Sequence, residues 1–221
     1  MSPFIEYRPV DESYNLVSVF LQDTITLIPE TLRLIVGSKF EYYDFSGLNY
    51  QPNLRLAWYP DEKQTLWTSV ARTSRLPTRG EEGLLLASAQ GTPDGIPVLF
   101  GQPSYDDEIG IHYEIGYRVK PHQRIVFDVA GYVVDYDGIR GFSPVENTLG
   151  DEFAQTFAIG NVIDALTYGI ELSIDWQVTD TWRLESAYTF FNIEFDQNPG
   201  DINVAQRGVA RNQFNIRSQW Y

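Results

Sequence analysis

An all-β fold is what this sequence predicts, as an antiparallel up-and-down meander of about nine long strands. Three observations carry it. Apolar and polar residues alternate over long stretches. Short connections alternate with longer ones. All five tryptophans stand beside the short connections. Together these are the layout of part of a transmembrane β-barrel.

The alternation is clearest from Leu166 to Phe195. Tyr168, Ile170, Leu172, Ile174, Trp176 and Val178 share one parity, and Gly169, Glu171, Ser173, Asp175 and Gln177 the other. Successive side chains of a strand point to opposite faces, so one face is apolar and one polar. Thr179-Asp180-Thr181 is a short turn, and a second strand follows from Trp182, making a hairpin.

In chain order, residues 2–13 read as loop. Tyr14 to Leu27 is a strand with Val17, Val19, Leu21, Ile25 and Leu27 on one face. Ile28-Pro29-Glu30-Thr31 turns the chain. Leu32 to Tyr43 sets Leu32, Leu34, Val36, Phe40 and Tyr42 against Arg33, Lys39 and Glu41. Residues 44–49 form a loop. Tyr50 to Tyr59 sets Leu54, Leu56 and Trp58 against Asn53 and Arg55. Residues 60–63 turn, and Thr65 to Thr73 is a further strand, of ambiguous parity. Residues 74–108 carry Gly and Pro repeatedly without a sustained period, which predicts a long, functional loop. Ile109 to Lys120 alternates again, with Ile111, Tyr113, Ile115 and Tyr117 opposite His112, Glu114 and Arg118. After Pro121-His122-Gln123 comes Ile125 to Tyr136. Residues 137–165 and 196–209 read as two more long loops, and Ala210 to Tyr221 as a last strand.

Composition narrows the function classes. The chain has 221 residues, no cysteine and a formal charge of -14. The lack of cysteine rules out disulfides and thiolate metal sites. The negative charge opposes nucleic-acid binding, which needs a positive footprint. Aromatics at 14% argue against disorder. No apolar run reaches the length of about 18 residues that a membrane helix requires. Alternating barrel strands escape that criterion. Nothing after Met1 resembles a signal peptide, so an exported reading takes Met1 as an internal start.

Trp58, Trp67, Trp176, Trp182 and Trp220 are the expected membrane-interface girdle. Arg33, Lys39, Glu41, Arg55, Glu114, Arg118, Glu171, Asp175 and Arg217 fall on the polar parity and are the expected lumen-facing charges. A basic residue on the lipid face at mid-bilayer costs about 2–4 kcal/mol, so the charged parity belongs inside. There is no catalytic constellation, no cofactor motif and no metal-ligand spacing. His112 reads as a lumen or surface residue, and His122 as a solvated turn residue. The acidic runs Glu81-Glu82 and Asp106-Asp107-Glu108 read as solvated loop.

Several stretches resemble the TonB-dependent outer-membrane receptors. Val19-Phe20-Leu21-Gln22-Asp23-Thr24-Ile25-Thr26-Leu27 followed by Leu32-Arg33-Leu34-Ile35-Val36-Gly37-Ser38-Lys39-Phe40 looks like a hairpin of that family. Gln51 to Trp58 and Ser69 to Thr78, with Arg75-Leu76-Pro77-Thr78, are similar to its next two strands. Tyr168-Gly169-Ile170-Glu171-Leu172 resembles its recurrent Gly-x-Glu strand. The resemblance covers most of residues 14–221 and implies a non-enzymatic outer-membrane protein. It implies uptake of a ferric siderophore or similar scarce nutrient, with a metal chelate as small-molecule ligand. Its implied partners are outer-membrane lipid, a plug domain and TonB. Such receptors have about 22 strands. About nine would leave an open, curled sheet, residues 1–221 being a partial barrel without plug. A passive porin-like channel and a soluble all-β binding protein share the strand pattern and stay open as alternatives. The soluble reading fits poorly with strands well beyond the usual length of about five or six residues.

Overall fold

A computed structural model describes residues 4–88, 96–145, 156–203 and 209–221. Nine long strands form an antiparallel meander in which each pairs with the next along the chain. They are β2 (Leu16–Ile28), β3 (Leu32–Tyr43), β4 (Gly47–Asp61), β5 (Gln64–Arg75), β8 (Glu108–His122), β9 (Ile125–Val145), β10 (Thr156–Thr179), β11 (Trp182–Gln197) and β12 (Asn212–Trp220). Three short strands join them: β1 (Phe4–Tyr7), β6 (Leu84–Ser88) and β7 (Ile96–Phe100). A single helical turn, α1 (Arg79–Gly83), precedes β6.

The short connections lie at residues 29–31, 62–63, 123–124 and 180–181. In the first, Glu30 adopts φ 62° and Thr31 N–H donates to Ile28 O at 3.2 Å, closing the chain in minimal length. These turns need little else, because long strands on either side fix their register.

Burial is inverted relative to a water-soluble sheet. Ile115 is 57% exposed and Ile170 47%, while Glu41 is 5% exposed and Asn49 4%. The apolar parity is the open one and the polar parity the covered one. A curled sheet spreads side chains on its convex side and crowds them on its concave side, so the apolar face is the outer one. On β10 the outward apolar residues run from Leu166 to Val178. That is about 40 Å along the strand. At a barrel tilt of about 40° it spans about 30 Å of height, the thickness of a bilayer core.

The long loops are shorter than expected, and four expected stretches are corrected. Residues 137–145 continue β9 and residues 156–165 begin β10, so most of the stretch 137–165 is strand. The alternation fails there because the register shifts between Asn161 and Ile163 and again between Ile163 and Ala165. Each bulge moves the following side chains to the other face. Residues 74–108 contain α1, β6 and β7, and the stretch read as 2–13 loop contains β1. β11 runs on to Gln197, into the stretch read as 196–209 loop. Residues 89–95, 146–155 and 204–208 of the expected loops lie outside the described residues.

Candidate binding face and mouth

Cross-strand register shows which residues share the inner face, because directly paired residues point the same way. Arg33 pairs with Ala57, Ala57 with Trp67, Trp67 with Gly116, Gly116 with Ala130 and Ala130 with Glu171. Arg55 pairs with Ser69, Ser69 with Glu114 and Glu114 with Tyr132. Lys39 and Glu41 share parity with Arg33, Arg118 with Glu114, and Asp175 with Glu171. Asp175 leads through Glu185 to Arg217. All nine charges singled out in the sequence therefore lie on one face, the covered one.

Most of them are partnered along the wall. Lys39 and Glu41 pair at 2.6 Å, Arg118 and Asp128 at 2.6 Å, and Arg55 and Glu114 at 3.7 Å. Arg183 Nε donates to Asp175 at 2.8 Å, and Arg217 lies 3.9 Å from Glu185. Arg33 stacks over Tyr59 at 5.4 Å. Such partly exposed pairs are each worth about 1 kcal/mol or less, so they orient the surface more than they stabilise it.

The tryptophans divide. Trp58, Trp176, Trp182 and Trp220 have the outward parity, and Trp182 stacks on Trp220 with ring centroids 4.9 Å apart. Trp67 has the inward parity and its Nε1–H donates to Glu114 at 3.3 Å. Its expected place in the girdle is corrected. β5 gave ambiguous parity in sequence, and only its register against β4 and β8 decides the face.

The mouth, at the end away from the short turns, is built around Arg75. Its guanidinium reaches Glu81 at 2.6 and 3.1 Å and Glu108 at 2.5 and 2.7 Å. Tyr105 Oη donates to Glu108 at 2.7 Å, and Arg140 N–H donates to the same carboxylate at 2.8 Å. Glu81 is 1% exposed and Tyr105 5%. Glu81 also closes a capping box on α1, accepting from Thr78 N–H at 2.8 Å and Thr78 Oγ1 at 3.0 Å. Burial pushes the Glu81 carboxyl up, but hydrogen bonds from Arg75 and Thr78 outweigh it and hold it below the usual carboxylate range. Burial, with Glu12 and Glu81 nearby, pushes Glu82 up to about 7.

Further contacts bind the outer segments into one unit. β1 pairs with β6, β6 with β7, and β7 lies parallel to the start of β10 through Phe157–Leu99 and Ala158–Phe100. Arg79 donates to the carbonyls of Pro9 and Val10 and stacks on Tyr7 at 5.1 Å. Asp106 and Asn161 exchange two hydrogen bonds, at 2.7 and 3.0 Å. The acidic runs of this region are therefore not simply solvated. Sequence offered two signals for this: Thr78-x-x-Glu81 has capping-box spacing, and Arg75 precedes it by one turn's reach.

His112 faces inward, its Nε2 2.9 Å from Thr73 Oγ1, and His122 Nδ1 accepts from Arg124 N–H in the turn. Among the described residues no three His, Cys, Asp or Glu side chains group as metal ligands. The arrangement offers an inner wall lined with charged side chains and a mouth fastened by ion pairs and hydrogen bonds.

Comparison with known proteins agrees with this geometry. Residues 3–221 match the family described as TonB dependent receptor-like, beta-barrel. The ferric enterobactin receptor of Pseudomonas aeruginosa is 25% identical over 212 residues, covering 88% of this chain and 27% of that protein. The iron-regulated outer membrane virulence protein of Vibrio cholerae is 24% identical over 210 residues, covering 91% and 31%. The chain thus spans less than a third of the length of these relatives. The crystal structure of the siderophore receptor PirA from Pseudomonas aeruginosa superposes with a TM-score of 0.68 at 18% identity, over 83% of this chain and 35% of that one. A ferric enterobactin receptor structure superposes with a TM-score of 0.69 at 22% identity, over 84% and 28%. An inside-out sheet with a folded mouth, matched along nearly its whole length, makes this chain a member of the TonB-dependent receptor β-barrel family of the bacterial outer membrane.

Proposed function

We propose that this barrel segment serves an outer-membrane transporter that takes up a ferric siderophore or a similar scarce metal chelate. The observation that carries the reading is the inverted sheet. Its apolar face meets lipid, and its inner face carries Arg33, Lys39, Glu41, Arg55, Glu114, Arg118, Glu171, Asp175 and Arg217. In this reading that face is the lumen wall, against which a plug packs. Ligand is captured at the mouth around Arg75, and TonB drives release through the plug. Trp58, Trp176, Trp182 and Trp220 anchor the wall at the interface of the outer membrane on the short-turn side. The names of the relatives, both iron-linked, support the choice of cargo.

The test is uptake of radiolabelled ferric enterobactin by cells expressing the full-length gene product, with and without a functional TonB. TonB-dependent accumulation is the expected result. Entry of the chelate independent of TonB, with steady conductance in planar bilayers, overturns the reading in favour of a passive channel.

A further inference from the structure

The inner face carries a row of small and flat-lying groups. Ala57, Trp67, Gly116 and Ala130 are direct cross-strand neighbours on β4, β5, β8 and β9. A Cβ built on Gly116 would lie 2.0 Å from Trp67 Cζ2 and 2.3 Å from Cε2. The indole therefore occupies the space that any side chain at position 116 would fill. It lies along the wall instead of standing off it. Its N–H donates to Glu114 at 3.3 Å, and Glu114 also accepts from Ser69 at 3.3 Å and pairs with Arg55 at 3.7 Å. These contacts hold the ring down at one edge, while Gly116 leaves room for its body. Tyr132 repeats the device between β9 and β10: a Cβ on Gly169 would lie 2.5 Å from its Oη.

We infer that Gly116 is a clearance position. It keeps the Trp67 indole folded against the wall, which leaves the space in front of the ring to the plug that packs there. The inference rests on the inner face being the lumen. Glycine costs a strand up to about 1 kcal/mol of propensity, and Gly116 has an ordinary extended backbone with no positive φ to require it. Its use is therefore explained by the ring that covers it, in the way aromatic residues cover glycines across strands elsewhere. Gly169 is the less clean case, because a Cβ there would also lie 2.4 Å from the Phe190 carbonyl.

The experiment uses the full-length receptor carrying Gly116→Val, Trp67→Leu or both. Valine suits a strand, so a defect in the single variant reports the lost clearance rather than the backbone. Two readouts are taken on outer-membrane preparations. One is the acrylamide quenching of Trp67, obtained as the difference between matched proteins with and without Trp67→Leu. The other is uptake of ferric enterobactin. Gly116→Val is expected to raise quenching of Trp67 and reduce uptake several-fold, and Trp67→Leu in the same chain to restore uptake. Should Gly116→Val fail to assemble, Trp67→Leu is expected to restore assembly. Unchanged quenching in Gly116→Val, or a double variant as defective as the single one, overturns the inference. Quenching and assembly do not depend on the cargo, so with an unexpected cargo those two readouts decide the inference, and the lack of ferric enterobactin uptake by the parent counts only against the proposed function.

Discussion

Arg75 and Glu81 are joined by two hydrogen bonds, at 2.6 and 3.1 Å, although Glu81 is 1% exposed. The pair fastens α1 to the end of β5, and through Glu108 and Arg140 to β8 and β9. Removing Arg75 takes the strongest partner from the buried Glu81 carboxylate and leaves it only Arg140 at 3.4 Å and the Thr78 donors. Arg75→Ala in the full-length receptor is therefore expected to loosen the mouth while the wall persists. Hydrogen exchange should accelerate across residues 79–88 and stay slow in β9 and β10. Equal protection in both proteins would remove Arg75 from this role.

Two neighbouring acids give opposite pH responses. The Glu81 carboxyl is held low when folded, so its contribution is fully present above the ordinary carboxylate range and is lost as pH falls from there through the lower folded value. Glu82 is raised to about 7, so its ionisation penalises the folded mouth progressively as pH rises from about 4.5 to about 7. Glu82→Gln is expected to slow exchange of this segment at pH 8 and leave it little changed at pH 5. A larger effect at pH 5 than at pH 8 would reverse the assigned sign.

The two faces of β8 should respond differently to charge. Ile115 is on the open apolar face and Glu114 on the covered one. Ile115→Arg, placed near mid-bilayer, costs about 2–4 kcal/mol and is expected to block assembly. Glu114→Gln is expected to assemble normally. Heat-modifiable migration of outer-membrane fractions reads both, and equal tolerance would refute the face assignment.

Gly83 faces the carbonyl of Arg8, where a Cβ would lie 2.3 Å from the oxygen. The neighbouring Arg8 N–H donates to Gly83 O at 2.8 Å, so the approach is part of the fastening between β1 and α1. Gly83→Ala should push residues 4–10 off the mouth. Limited proteolysis of intact cells is expected to cut near residues 8–10 in this variant and not in the parent.

Much of the fold was legible in the residues. Period-two alternation located the nine long strands and, except in β5, their two faces. The short turns at Pro29, Asp61, His122 and Asp180 followed from turn residues between strands. The mouth was less legible. Bulges between Asn161 and Ala165 broke the alternation, and strand continued where a loop was expected. β1, β6 and β7 are four or five residues each, too short to show a period, and they exist by pairing with segments distant in sequence.

Local chemistry thus determined which side chains face together, since strand geometry alternates wherever the backbone is extended. It also set the acidic charge, the cysteine-free composition and the family motifs. Tertiary structure decided what no local pattern contains. It set the parity of β5, and with it the inward turn of Trp67 over Gly116. It also brought Arg75, Glu81, Tyr105, Glu108 and Arg140 into one network around the buried Glu81 and Tyr105. Those depend on register and on contacts between segments tens of residues apart, which hydrogen bonding across the finished sheet alone selects.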